Sequence, residues 1–380
     1  MNFDRRMLFG MTGPNNWVGA TAQFSVRPNP ENNRMPEPKT FTGNFQWQRG
    51  ERLGEGGQAQ VYRATKLDDA ERAEFALKVL KSKNPSPKAC ERFRREMQAV
   101  QTLDHPNIVR VVDSYQGVAA PPFYVMNLVE GARPLGKLIR QPNNPFEKQS
   151  ERCVELFCQL TSALVHCQEQ QIVHRDISPG NVLVTPDHRI QLIDFGLCWT
   201  DDTGQLTSID EGAGTQNYMA PECDSGAHTA PDVRSDLYSV GKLVWTAVTG
   251  RQAFAREEPV FQNLALEEVL PDHPQTWHLA HIFEKTIRAD PANRWQSARE
   301  AHEFGTQLRN VLRRGISPVQ HIHRWCDRCG VGELRNATGA FGALSAHEGY
   351  VSKRCDYCGT YVLHNRKVPD ERLEARKQFS

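Results

Sequence analysis

Asp176, Asn181 and Asp194 are residue types, at a spacing, that could carry out metal-dependent phosphoryl chemistry. They sit in His174-Arg175-Asp176-Ile177-Ser178-Pro179-Gly180-Asn181 and, after a short gap, in Asp194-Phe195-Gly196. Transfer from a nucleoside triphosphate needs one carboxylate to orient an attacking hydroxyl. It also needs oxygen ligands to hold a hard divalent cation on the phosphates, which an amide and a second carboxylate can supply. On this reading Asp176 orients or deprotonates the hydroxyl, while Asn181 and Asp194 hold Mg²⁺ or Mn²⁺.

The other parts of a triphosphate site lie upstream. Leu53-Gly54-Glu55-Gly56-Gly57-Gln58-Ala59-Gln60-Val61 falls between two strand-like runs. Its glycines let a hairpin backbone close over phosphates with no side chain in the way. Lys78, in Phe75-Ala76-Leu77-Lys78-Val79, places a cation where the α- and β-phosphates need one. A carboxylate on the next helix should hold that cation; Glu96 is the preferred candidate and Glu91 the alternative.

These groups need two kinds of support. Residues 45–80 alternate as strands around the glycine turn, and 88–103 read as a helix with Phe93, Met97, Val100 and Leu103 on one face. Short strands are expected at 108–113 and 123–128, and long helices over 151–170, 234–250, 276–288 and 297–313. The fold class is therefore α+β, with a strand-rich lobe joined to a helical lobe through Asn127-Leu128-Val129-Glu130-Gly131.

Together these motifs resemble the eukaryotic-type protein kinases over residues 45–312, with an N-lobe over 45–127 and a C-lobe over 132–312. The resemblance implies a bilobal kinase fold that uses ATP. Val61 and Ala76 would cover the adenine and Leu183 would lie beneath it. The backbone from Asn127 to Val129 would bond the purine edge, and Met126 would be the gatekeeper. His174 and Phe195 would pack in the regulatory spine, and Arg175 could receive a phosphate from the activation segment.

Gly214-Thr215-Gln216-Asn217-Tyr218-Met219-Ala220-Pro221-Glu222 resembles the end of a serine/threonine kinase activation segment, which implies a protein substrate with a Ser or Thr acceptor. By the same resemblance Thr215 would contact Asp176, Glu222 would pair with Arg294, and Asp236 would accept backbone N–H bonds from the catalytic loop. Two positions depart from the pattern. Ala59 replaces the third glycine of the loop, and Ser178 stands where a lysine usually touches the γ-phosphate. A pseudokinase scaffold and a tyrosine or dual-specificity kinase are the alternative readings.

Near the C-terminus, Cys326-Asp327-Arg328-Cys329-Gly330 and Cys355-Asp356-Tyr357-Cys358-Gly359 are near copies. Two such knuckles can supply four thiolates to a tetrahedral structural Zn²⁺ site, and residues 320–366 resemble a zinc ribbon. The mildly basic surroundings, with Arg324, Arg328, Lys353, Arg354, Arg366 and Lys367, would allow a nucleic-acid contact, but a solvated charged surface or a protein-docking module is the favoured reading. Residues 1–44 read as a flexible arm and 367–380 as a charged tail.

Composition sets outer bounds. The 380 residues carry a net charge of +1, which argues against bulk attraction to a polyanion. No apolar run reaches the length of a membrane span, and no secretory signal is read at the N-terminus, so a cytoplasmic protein is expected. The six cysteines outside the knuckles are then expected to be free thiols.

Overall fold

The computed structural model describes residues 40–55, 59–81, 86–115, 117, 122–195, 217–223, 231–254, 276–313, 334–336, 350–355 and 361–365. Most of the expected N-terminal arm, Gly56, Gly57, Thr215, Cys326, Cys329, Cys358 and the charged tail lie outside the described residues.

Six antiparallel strands form the first lobe: β1 (Thr40–Thr42), β2 (Gln46–Glu55), β3 (Ala59–Lys66), β4 (Glu74–Leu80), β5 (Val111–Tyr115) and β6 (Phe123–Asn127). Their spatial order is β1-β2-β3-β4-β6-β5. Strand alternation sorts the side chains. Leu77, Val79, Phe123 and Val125 join Trp47 and Ala64 in a small core on one face. Ala76, Tyr124 and Met126 belong to the main core on the other. Lys78 sits directly opposite Tyr124, and Ala76 opposite Met126. Period-two geometry thus turns Lys78 toward α1 (Pro87–Gln101). Ser86 caps that helix by accepting the Ala89 N–H at 3.2 Å, with Pro87 in the first turn. Phe93, Met97 and Val100 are buried along one face, and Glu96, three residues after Phe93, shares it.

The strand expected at 108–113 begins instead at Val111. Ile108 forms a parallel bridge with Leu192, and the Val109 N–H donates to the Leu192 carbonyl at 3.0 Å. Those residues tie the first lobe to the second, a long-range pairing that local alternation does not report.

The second lobe holds α2 (Leu135–Ile139), α3 (Ser150–Glu169), α4 (Val233–Thr249), α5 (Thr276–Thr286) and α6 (Ala298–Arg313). A three-stranded sheet of β7 (Arg133–Pro134), β8 (Val182–Val184) and β9 (Ile190–Leu192) flanks the catalytic loop. Nearly every residue of α4 is buried. Asp232 caps the start of α4 by accepting the Arg234 N–H at 2.8 Å, and Gly250 ends it at φ +65°, the left-handed conformation that glycine adopts without steric cost. Even Lys242 is enclosed, donating to the Phe254 carbonyl at 2.6 Å. A further antiparallel sheet comprises β10 (Leu334–Asn336), β11 (Tyr350–Cys355) and β12 (Tyr361–Asn365). Among the described residues, no helix is long and apolar enough to cross a membrane.

Candidate active site

Three of the expected groups meet at Lys78. Its ammonium pairs with Glu96 and also reaches Asp194 Oδ1 at 3.0 Å. Burial works against the ammonium, but Asp194 and then Glu96 outweigh it and hold Lys78 charged, well above the ordinary lysine range. The choice between Glu96 and Glu91 is resolved by helix phase, since Glu91 faces solvent and pairs with Arg95 at 3.0 Å. Tyr124 was not singled out from the sequence. Its hydroxyl donates to Glu96 Oε1 at 2.7 Å, and burial, followed by the Glu96 charge, pushes the phenol well above its usual value, so it stays a donor. Only its strand register opposite Lys78 could have pointed to it.

Asp194 is the open end of this chain of charges. Its side chain is 41% exposed, against 8% for Lys78, so the carboxylate reaches solvent where the ammonium does not. It adopts φ +64°, as Arg175 adopts φ +65°; both are left-handed conformations costing roughly 1–2 kcal/mol in a non-glycine residue. Strain of that kind persists where the surroundings over-determine the backbone.

The catalytic loop is pinned from both ends. Asp236 on α4 accepts the His174 and Arg175 N–H groups, each at 2.8 Å. Burial pushes the Asp236 carboxyl up to about 7, although those two N–H bonds pull the other way. His174 lies against Phe195 with ring centroids 4.3 Å apart, and burial pushes its imidazole down to about 4. Asn181 donates through Nδ2 to the Asp176 carbonyl at 2.9 Å and to Asp176 Oδ2 at 2.8 Å. That orientation leaves the Asn181 amide oxygen as an acceptor for a cation, so Asn181 and Asp194 together fit a hard-ion site.

The proposed adenine walls are distributed around this centre. Ala76 and Met126 are buried and adjacent across the β4–β6 ladder, while Val61 and Leu183 are partly buried. Leu53 is 41% exposed near the end of β2, and a β-carbon at Gly54 would meet nothing within 4 Å. Glu55 is engaged by Lys81 and Arg52, each at 2.7 Å. Val129 is partly exposed, but the Asn127 N–H is donated to the Arg110 carbonyl at 3.0 Å. A purine-edge donor in this linker therefore falls to Leu128 or Val129 rather than Asn127.

Farther from the chemistry, Arg294 grips Glu222 with both terminal guanidinium nitrogens, at 2.5 and 2.9 Å, and also bonds the Arg288, Arg234 and Ala289 carbonyls. Ser235 adds a 2.7 Å bond to Glu222. Ser178 is buried, and its carbonyl accepts the Asn181 N–H at 3.0 Å, so it shapes the loop that holds Asn181. Cys355 is the knuckle cysteine among the described residues, and it is buried at the end of β11.

Residues 47–304 match the family model described as the protein kinase domain, more than half of the chain. A probable serine/threonine-protein kinase of Streptomyces coelicolor is 34% identical over 282 residues, covering 70% of this chain and 40% of that protein. Serine/threonine-protein kinase PknA of Mycobacterium tuberculosis is 31% identical over 270 residues, covering 68% of this chain and 59% of that protein. Serine/threonine-protein kinase PrkC of Bacillus subtilis is 31% identical over 272 residues, covering 69% of this chain and 40% of that protein. The chain thus spans less than two thirds of the length of each of these relatives.

Proposed function

The chain belongs to the protein kinase family, and on that premise we propose that it transfers the γ-phosphoryl group of Mg-ATP to serine and threonine hydroxyls of proteins. The observation that carries the reading is the junction at Lys78, with Glu96 behind the ammonium and the exposed Asp194 in front of it. Residual motifs could survive in a scaffold, but a buried cation aimed at a solvent-facing carboxylate is an arrangement that suits a triphosphate and its metal.

In this mechanism the acceptor oxygen attacks the γ-phosphorus, the bond to the β–γ bridging oxygen breaks, and ADP leaves with that electron pair. Asp176 orients the hydroxyl and takes its proton. Lys78 binds the α- and β-phosphates while Glu96 keeps its ammonium in place. Asn181 and Asp194 would hold Mg²⁺ or Mn²⁺, which when bound neutralises phosphate charge. Asn181 also fixes the Asp176 carboxylate through Nδ2. Neutral Ser178 adds no charge at the γ-phosphate, so neutralisation there would fall to the cation that Asn181 and Asp194 would hold.

The test is autophosphorylation of the full chain with Mg-ATP, with phosphosites mapped by mass spectrometry. Phosphoserine or phosphothreonine that disappears in Asp176→Asn supports the reading. Phosphotyrosine would redirect it to a dual-specificity enzyme. Transfer gained only in Ser178→Lys would redirect it to a scaffold.

A structural zinc ribbon is the second reading, supported by the antiparallel β10-β11-β12 order with buried Cys355 closing β11. The thiolates of Cys326, Cys329, Cys355 and Cys358 would hold the ion, and zinc when bound would cross-link a segment too small for a core of its own. One zinc per chain by elemental analysis, lost in Cys355→Ser, is expected; a metal-free, equally folded protein would remove the reading. A protein partner is the preferred ligand of this module.

A further inference from the structure

A groove of about 980 Å³ runs beside the catalytic loop, between α2, the loop and the C-terminal end of α4. Ser178, Pro179 and Gly180 form one wall, two to four residues after Asp176, and Asn217 and Tyr218 form another. An acceptor segment whose hydroxyl lies at Asp176 can therefore lay the residues on one side of it along this groove. An extended chain rises about 3.3 Å per residue, so several flanking side chains fall within it.

The charges lining the groove are unequal. Arg140 and Arg251 line it with Glu147 as the carboxylate among the described residues. Both arginines are exposed, and among the described residues neither has a carboxylate partner. Other arginines of this lobe are paired: Arg234 with Asp232, Arg299 with Glu169, and Arg309 with Glu155. Arg140 is oriented as well as unpaired. Its Nε donates to the Gly136 carbonyl at 2.9 Å, which leaves the terminal nitrogens of the guanidinium to the groove. Its charge is felt at the Tyr218 phenol across the groove. Glu147 lies against Gly250, next to Arg251 in the chain, where a β-carbon would come within 2.9 Å of its Oε2, yet among the described residues it forms no ion pair with either arginine. The catalytic-loop wall contributes no charge, because Ser178 is neutral and Gly180 has no side chain.

Resting on the kinase reading, we propose that Arg140 and Arg251 are specificity-determining residues that select acceptor segments with aspartate or glutamate flanking the phosphorylated residue. A carboxylate in the groove gains charge-assisted, fork-shaped hydrogen bonds from a guanidinium already facing it. A basic flank meets two like charges, which discriminates against it.

The test uses the full chain and two peptide series with one acceptor, flanked by Asp and Glu or by Lys and Arg. Fluorescence anisotropy is measured first with alanine at the acceptor, so binding is read without turnover. Phosphorylation is then measured with serine and threonine acceptors. We expect the acidic series to bind and react on the order of tenfold better, with the difference mainly in KM. Arg140→Glu combined with Arg251→Glu should reverse the preference, whereas Arg299→Ala on another surface should leave it intact. Equal or undetectable binding of both series at millimolar peptide, or a preference unmoved by the double reversal, overturns the proposal. Selective binding of acidic peptides without phosphate transfer would instead remove the kinase reading and leave the groove assignment standing.

Discussion

The Tyr124 hydroxyl donates a 2.7 Å hydrogen bond to the same Glu96 oxygen that receives the Lys78 ammonium. The carboxylate is thus held from a strand as well as from its own helix. The arrangement couples β6 to α1 through a buried charge, where hydrogen bonds are worth more than in water.

Removing that hydroxyl tests its contribution. A hydrogen bond to a buried charged group contributes about 1.5–3 kcal/mol. Tyr124→Phe is expected to keep the fold and lower kcat/KM for ATP by roughly tenfold, since about 1.4 kcal/mol is a factor of ten. Steady-state kinetics against ATP, with thermal unfolding as a control for the fold, would read this. An unchanged kcat/KM would show that α1 positions Glu96 without help.

The two helix carboxylates should behave differently. Glu96→Gln leaves the Lys78 ammonium with Asp194 alone, and a loss of about 10²-fold in transfer is expected, as for other charged positioning groups. Glu91→Gln breaks only an exposed pair with Arg95, worth about 0.3–0.5 kcal/mol, and activity should stay near wild type. Comparable losses in both variants would contradict the assignment of Glu96.

The Glu222–Arg294 pair is expected to matter for stability. Glu222→Ala leaves a buried guanidinium without its carboxylate, which costs about 3–5 kcal/mol. Arg294→Lys keeps the charge but loses the two-pronged grip and part of the carbonyl network, so a smaller fall in Tm is expected. Differential scanning fluorimetry on both variants separates the two effects. A Tm within a degree of wild type in Glu222→Ala would show that Ser235 and the neighbouring carbonyls suffice.

Asp236 gives the stability a pH dependence of definite sign. Its folded value of about 7 lies above the unfolded aspartate value of about 3.9, so the folded chain binds the proton more tightly. Its contribution is full below pH 4 and is lost as pH rises through 7. His174 acts in the opposite direction: its folded value near 4 is below the unfolded value of about 6.5, so it adds stability as pH rises from 4 to 6.5. Comparison with Asp236→Asn isolates the first effect, and the wild-type Tm should fall relative to the variant's from pH 4 to pH 7. A wild-type Tm that rises relative to the variant's with pH would show that the ionised carboxylate, with its two N–H donors, is the favoured folded form.

Much of the site was legible because its groups are close in sequence. Asp176 and Asn181 are five residues apart, and their direct bond follows from a tight loop. The helix over 88–103 was visible in the spacing of Phe93, Met97 and Val100, and that same phase separates buried Glu96 from exposed Glu91. The kinase resemblance supplied the Glu222–Arg294 and Asp236–loop pairings; composition and periodicity did not.

Sequence by itself determined the chemistry this protein can carry: the carboxylates, amide, lysine and glycine loop, and the strand and helix periods that hold them. Tertiary structure alone decided which distant side chains share one charge. Tyr124 met Glu96 across 28 positions, residues 108–109 turned away from their expected strand to join Leu192, and the Asn127 N–H was taken by Arg110. It also left Arg140 and Arg251 unpaired among the described residues beside the catalytic loop. Backbone periodicity records only a residue's own element and face. Partners between elements follow from how the lobes pack, where burial makes each unsatisfied polar group costly enough to select its contact.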